Sequence, residues 1–165
     1  MIKKILIALL VILVIIQLIR PTPNVSAEQS VNDIEKHYRV PQDVKLILDK
    51  ACRDCHSNNT NYPWYNAVQP VAWYLNDHIV DGKKHFNLSE FAEYPPKRAE
   101  HKLEELVESQ TDHWMPLESY QNLHPEARLT TDENQTLIDW ANELRAQIKT
   151  THPEAFIPKP GDEKH

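Results

Sequence analysis

Residues 41–56 read PQDVKLILDKACRDCH, and the last five, Cys52-Arg53-Asp54-Cys55-His56, decide the fold. Pro41 suits the first position of a helix, because its ring presets φ and its missing N–H would find no partner there. Val44, Ile47, Leu48 and Ala51 follow at spacings of three and four, one face of a helix that runs into Cys52. C-x-x-C-H is the attachment signature of c-type haem. Two thiols three residues apart on one helical turn reach the vinyl groups of adjacent pyrroles, and the next residue points an imidazole at the iron from the same side. Cys52 and Cys55 are therefore the candidates for covalent attachment of one haem c, and His56 for the proximal iron ligand. Three other readings use the same residues. A thioredoxin-like pair needs an α/β pattern, a zinc site needs a second compact Cys/His pair, and a local disulfide needs only an oxidising compartment.

Working outward, a six-coordinate haem needs a second axial ligand. Apart from Met1 the only methionine is Met115, 59 residues after His56, followed by Pro116 and set between two expected helices. It is the candidate distal ligand, and its ordinary alternative is to fill a gap in the core. His78 falls on the Val71/Leu75/Ile79 face and is the alternative distal ligand, with His85 and His113 next. Trp64, Trp73 and Trp114 are candidates for flat apolar haem-pocket walls, Trp140 a further one, while Tyr62, Tyr65 and Tyr120 offer hydroxyls to propionates.

Pattern and punctuation place the remaining elements. Val71, Leu75, His78 and Ile79 mark a helix expected to end near Gly82. Pro95 and Pro96 open another, with Ala99, Leu103, Leu106 and Val107 inward and Glu100/Glu104/Glu105/Glu108 on a face read as solvated or as a dock for a basic partner. Thr130 to Glu133 form a capping box ahead of Leu137, Ala141, Leu144 and Ile148. No stretch alternates apolar and polar residues over strand length, so the class is all-α, four to five short helices in a domain over 41–150. Residues 151–165 hold three prolines and no apolar period and read as a flexible tail, and 21–40 as a polar tether.

Residues 5–16, ILIALLVILVII, are apolar without a break. With Lys3 and Lys4 before them and Arg20 after, residues 1–20 read as a membrane anchor, one helix crossing over 3–20. The rival reading is a secretory signal cut near Val25-Ser26-Ala27. Both place the domain outside the cytoplasm, at the inner membrane on the periplasmic side or secreted there. Beyond residue 20 the chain holds 15 basic against 24 acidic residues, which excludes a phosphate-gripping surface and so nucleic acid. Only Gly82 and Gly161 are glycines, too few for a nucleotide-binding loop.

The stretch from Asp54-Cys55-His56-Ser57-Asn58 through Tyr62-Pro63-Trp64-Tyr65, with Met115-Pro116-Leu117 and Tyr120, resembles the small bacterial haem-binding domain family over about residues 41–148. The resemblance implies a cytochrome-c-like helical fold with covalent haem, commonly behind one N-terminal membrane helix. Together these readings give a monohaem c-type cytochrome that carries electrons to a redox partner protein at the membrane surface. A haem sensor with an open or labile sixth position and a zinc-stabilised interaction module are the alternatives. No base–nucleophile pair at a recognisable spacing argues for an enzyme. Short helices and long loops further suggest a domain that depends on haem as its common apolar centre.

Overall fold

The computed structural model describes residues 1–157 and is helical throughout, with no strand among the described residues beyond one isolated bridge, Val25 to Asn59. Among the described residues eight α-helices follow in order: α1 Ile2–Ile16, α2 Ile34–His37, α3 Gln42–Ala51, α4 Arg53–His56, α5 Val71–His85, α6 Pro96–Thr111, α7 Glu118–Leu123 and α8 Thr131–Thr151. Short 3-10 turns occupy Trp64–Ala67, Leu88–Glu93, Pro125–Ala127 and Pro153–Phe156.

The long helices follow their apolar period. α3 buries Val44, Ile47 and Leu48; α6 buries Leu103 and Leu106; α8 buries Leu137, Trp140, Ala141, Leu144 and Ile148. These side chains close one core with Ile34 of α2 and with Leu88 and Phe91 of the 3-10 turn. The Thr130 capping box is formed: its hydroxyl accepts from Glu133 N, and the Glu133 carboxylate accepts from Thr130 N at 2.9 Å. α5 runs three residues past Gly82, whose role is different and is described below.

Four expectations are corrected. α1 does not extend over 3–20, and among the described residues no helix is long and apolar enough to cross a membrane. Its 15 residues rise about 22 Å, against a hydrocarbon core of about 30 Å. The helix ends because Gln17, Leu18 and Ile19 tighten into i→i+3 bonds, and the Gln17 carboxamide leaves to accept from Gln69 N at 2.9 Å.

The supposed tether is part of the domain. Asp33 is 1% exposed, caps α2 by accepting from Glu35 N, and Ile34 lies wholly inside. Asn24 donates to Ser57 O and Thr60 Oγ1, both at 2.9 Å, and accepts from Lys83 Nζ.

The acidic face of α6 is a seam rather than a dock. Glu100 and Glu104 accept from Arg145 of α8, Glu100 also pairs with Lys149, and Glu105 pairs with Lys102. Of the expected tail, Pro153–Phe156 forms a turn whose Phe156 packs on the core under Lys149; residues 158–165 lie outside the described residues.

Candidate haem site

A cavity of about 410 Å³ opens between α4, α5, α6 and the α6–α7 connection. Its volume falls within the range of about 300–1,000 Å³ usual for cofactor sites. Cys52, Cys55 and His56 line it together with Trp114, Met115 and Tyr120. Residues 52 and 115 thus meet across more than sixty residues of sequence.

Two devices hold the motif. Arg53, the first residue between the cysteines, turns away from the cavity into a carboxylate cluster: Asp33 at 3.2 Å, Asp49 at 2.9 Å, and Glu35, itself paired with Lys45. Asp54, the second, accepts from Asn61 N at 3.0 Å and from the Tyr120 hydroxyl at 2.7 Å, while its carbonyl accepts from Thr60 Oγ1. The two residues between the cysteines therefore lock the turn to α2 on one side and α7 on the other. α5 presses on it from a third direction. A Cβ at Gly82 would stand 2.7 Å from Cys55 O and 3.3 Å from Cys55 Cβ, so glycine permits the approach of the two backbones.

His56 Nδ1 lies 2.8 Å from Phe86 O. A carbonyl only accepts, so Nδ1 carries the proton and Nε2 keeps its lone pair, the arrangement found in metal-ligating histidines. Burial lowers the imidazole's proton affinity and outweighs the carbonyls of Phe86 and Gly82, which favours the neutral ring. Burial pushes the Cys52 thiol up to about 12 and the Cys55 thiol up to about 11. Among the described residues no three His, Cys, Asp or Glu side chains converge on a point that could hold a metal ion, so the second compact ligand pair that the zinc reading needs is not found there. No strand among the described residues supplies the α/β pattern of the thioredoxin-like reading.

Met115 reaches the cavity because of the way α6 ends. Asp112 is the last half-helical residue, His113 takes φ 56°, and Trp114 N bonds back to Ser109 O at 3.2 Å, the six-to-one bond of a Schellman motif. His113 occupies the left-handed position that glycine usually fills, and its Nδ1 meets Asn134 Nδ2 at 3.0 Å. Its ring is a helix terminator's side chain and does not line the cavity. His78 and His85 do line it, and His78 Nδ1 is engaged with Tyr74 O at 2.8 Å.

The aromatic walls divide. Trp114 lines the cavity while 53% exposed, but Trp64 and Trp73 do not reach it. Trp64 stands 83% exposed, and Trp73 donates from Nε1 to Ile19 O, so the expected pocket role of both is corrected. Trp140 lies in the core with Nε1 on Arg39 O. Tyr62 accepts from Asn24 N, and Tyr65 meets His124 Nε2 at 2.7 Å; neither faces the cavity. Burial, then the hydrogen bond to Asp54, raises the Tyr120 phenol well above its ordinary value, so it stays a donor.

Residues with no motif complete the wall. Lys102 of α6 is the lysine at the cavity, beside the carboxylates Asp54, Asp77, Asp81 and Glu105. No local signal marks them; the i, i+4 spacing of Asp77 and Asp81 is common on any solvated helix face.

An all-helical domain whose cavity gathers two thiols, a neutral imidazole and a thioether has the donor set and the room for a haem. Residues 11–143 match the profile of the haem-binding domain family, most of the chain, and the protein belongs to that family. No curated protein and no solved structure matches the chain.

Proposed function

We propose that this protein carries one covalently attached haem c and shuttles single electrons outside the cytoplasm. The observation that carries the reading is His56: a ring held from Nδ1 by Phe86 O, its Nε2 free, beside two half-buried thiols on one cavity wall. Cys52 and Cys55 would each bond through sulfur to a vinyl carbon and prevent loss of the group. His56 and Met115 would be the protein's ligands to its iron. A haem bound there supplies exchange between ferric and ferrous iron. The protein's part is to keep both ligands fixed and to surround the group with apolar side chains. The carboxylates at the cavity favour the higher charge of the ferric state and so lower the potential, and Lys102 opposes them.

The N-terminal helix supports a membrane address. Every residue of α1 through Ile15 is exposed, though the helix is apolar on all faces from Ile5 to Ile16, a surface that water does not tolerate and a bilayer does. We place α1 in the lipid of the inner membrane as an anchor that need not cross it, and the haem domain on the periplasmic side, where a redox partner protein would meet it. Retention of the segment is favoured over cleavage, since a cut after Ala27 would remove the bonds of Gln17, Ile19, Arg20 and Asn24 to the domain.

Absorption spectra and mass spectrometry test this. The purified protein is expected to gain the mass of one haem that acid acetone does not extract, and to be low-spin in both oxidation states. Met115→Ala is then expected to open the sixth position to carbon monoxide, while His78→Ala leaves the spectrum unchanged. A low-spin Met115→Ala with a high-spin His78→Ala would move the ligand role to His78. Rapid carbon monoxide binding by the wild type would favour a sensor over a carrier.

A further inference from the structure

The segment from Cys55 to Asn76 contains no Lys, Arg, Asp or Glu, in a chain where 25% of residues are charged. Part of that silence belongs to the cavity, but residues 63–74 do not: Trp64 is 83% exposed, Tyr74 56%, and Val68 and Val71 are exposed beside them. Exposed aromatic and aliphatic side chains with no charge among them make a poor aqueous surface.

Their position explains them. The end of α1 is tied to this same segment by a set of bonds too regular for a loose linker. The Gln17 side chain accepts from Gln69 N at 2.9 Å and donates to Gln69 O at 3.3 Å. Gln69 Nε2 and Trp73 Nε1 both donate to Ile19 O, at 2.8 and 3.0 Å. The Arg20 guanidinium donates to Asn66 O and Ala67 O. Gln69 is fully buried in this junction. The loop therefore stands where the apolar helix leaves the domain, at the level at which α1 would exit the hydrocarbon.

We propose that residues 63–74 are a membrane-docking face, seated in the headgroup layer of the bilayer that receives α1, so that the domain is held in one posture and does not swing on a tether. Tryptophan and tyrosine favour that layer, where the ring is shielded and the polar atom stays wet. Arg20 suits the same depth, its stem apolar and its charge among phosphates. α5 starts inside this face at Val71 and carries Asp77, Asp81 and His85 to the cavity, so the docked posture sets how the haem site stands over the membrane. The inference rests on the reading of α1 as a lipid-seated helix.

The test uses the full chain reconstituted into phosphatidylcholine vesicles containing lipids brominated near the headgroup end of the acyl chains. Bromine is expected to quench part of the tryptophan emission, and Trp64→Phe to lower the quenched part about twofold, because Trp64 and Trp73 are the indoles at the junction while Trp114 and Trp140 lie at the cavity and in the core. The haem absorption of Trp64→Phe should match the wild type, which checks that the site is intact. If the chain co-sediments with vesicles yet Trp64 is unquenched by bromine, the docking face is wrong and the anchor stands. If the chain does not co-sediment, both fall. Should Trp64→Phe leave lipid quenching unchanged but convert a detergent-solubilised dimer to monomer in sedimentation, the face is an interface between copies and the proposal is overturned.

Discussion

Gly82 shows how much of the haem site depends on a residue that carries no functional group. At the sequence level it reads as a helix end, because glycine after an amphipathic run usually marks one; in the fold it lies inside α5, three residues before its end. Its absent Cβ is what lets α5 lie against the carbonyl of Cys55. Gly82→Ala puts a carbon 2.7 Å from a backbone oxygen that cannot rotate away. The gain in helix propensity, about 1 kcal/mol, is opposed by an overpacking cost of about 1–3 kcal/mol. The variant is expected to be destabilised by up to about 2 kcal/mol in denaturant titration and to bind haem less completely. A variant more stable than the wild type would show that α4 moves aside freely. His113 makes the converse case. A search for the end of α6 looks for glycine, and none is near; a histidine at φ 56° does the work, and so Met115 was legible as a ligand candidate while the turn that delivers it was not. The cysteines and His56 were legible from a fixed spacing, His78 from a helical face, and Met115 as the lone methionine beyond Met1, set before a proline between two helices. Lys102, Tyr120's bond to Asp54 and the glutamine junction were not, since each depends on elements distant in sequence.

Elements were legible in proportion to their length. α3, α5, α6 and α8 have enough turns for an apolar stripe to repeat, and their starts carry proline or a capping box. α2, α4 and α7 are four to six residues long and have no period to read; they exist because tertiary partners hold them, Asp33 for Arg53 and Tyr120 for Asp54. The seam between α6 and α8 makes a pH-dependent prediction. Burial pushes the Glu100 carboxyl up, but bonds to Lys149 and Arg145 outweigh it and hold it below the ordinary carboxylate value. A carboxylate whose folded pKa is depressed contributes stability at pH above its unfolded value, and that contribution is lost as pH falls through the folded one. The wild type should therefore lose stability on acidification through and below about pH 4, the unfolded glutamate range. Glu100→Gln should be less stable at pH 7, by about 1 kcal/mol for removing the covered partner of a half-exposed charged cluster, and show a shallower acid loss in thermal melts at matched ionic strength. Equal slopes for the two proteins would mean that Arg145 and Lys149 are satisfied by Glu104 and water alone.

Across the whole molecule, core and cavity are separate regions that share little. Leu48, Leu88, Phe91, Leu103 and Leu137 are wholly buried among α3, α6, α8 and the 88–93 turn, and of the core cluster Phe86 and Leu106 are the hydrophobic members that also line the cavity. The expectation that haem is the common apolar centre is therefore corrected: the helices already have one. What haem supports is the other side. α4 and α7 bury no residue and α5 buries only Ala72 and Ile79, whereas α6 and α8 bury six each. The 410 Å³ cavity is open to solvent, so in a chain without haem water enters it and its weakly packed walls are free to relax. The Cys52→Ala/Cys55→Ala form is thus expected to melt cooperatively at a lower temperature with most of its far-ultraviolet dichroism intact. Hydrogen exchange should keep α6 and α8 protected and expose α4, α5 and α7. Uniform loss of protection together with a non-cooperative melt would show that the α3–α6–α8 core cannot stand without the cofactor.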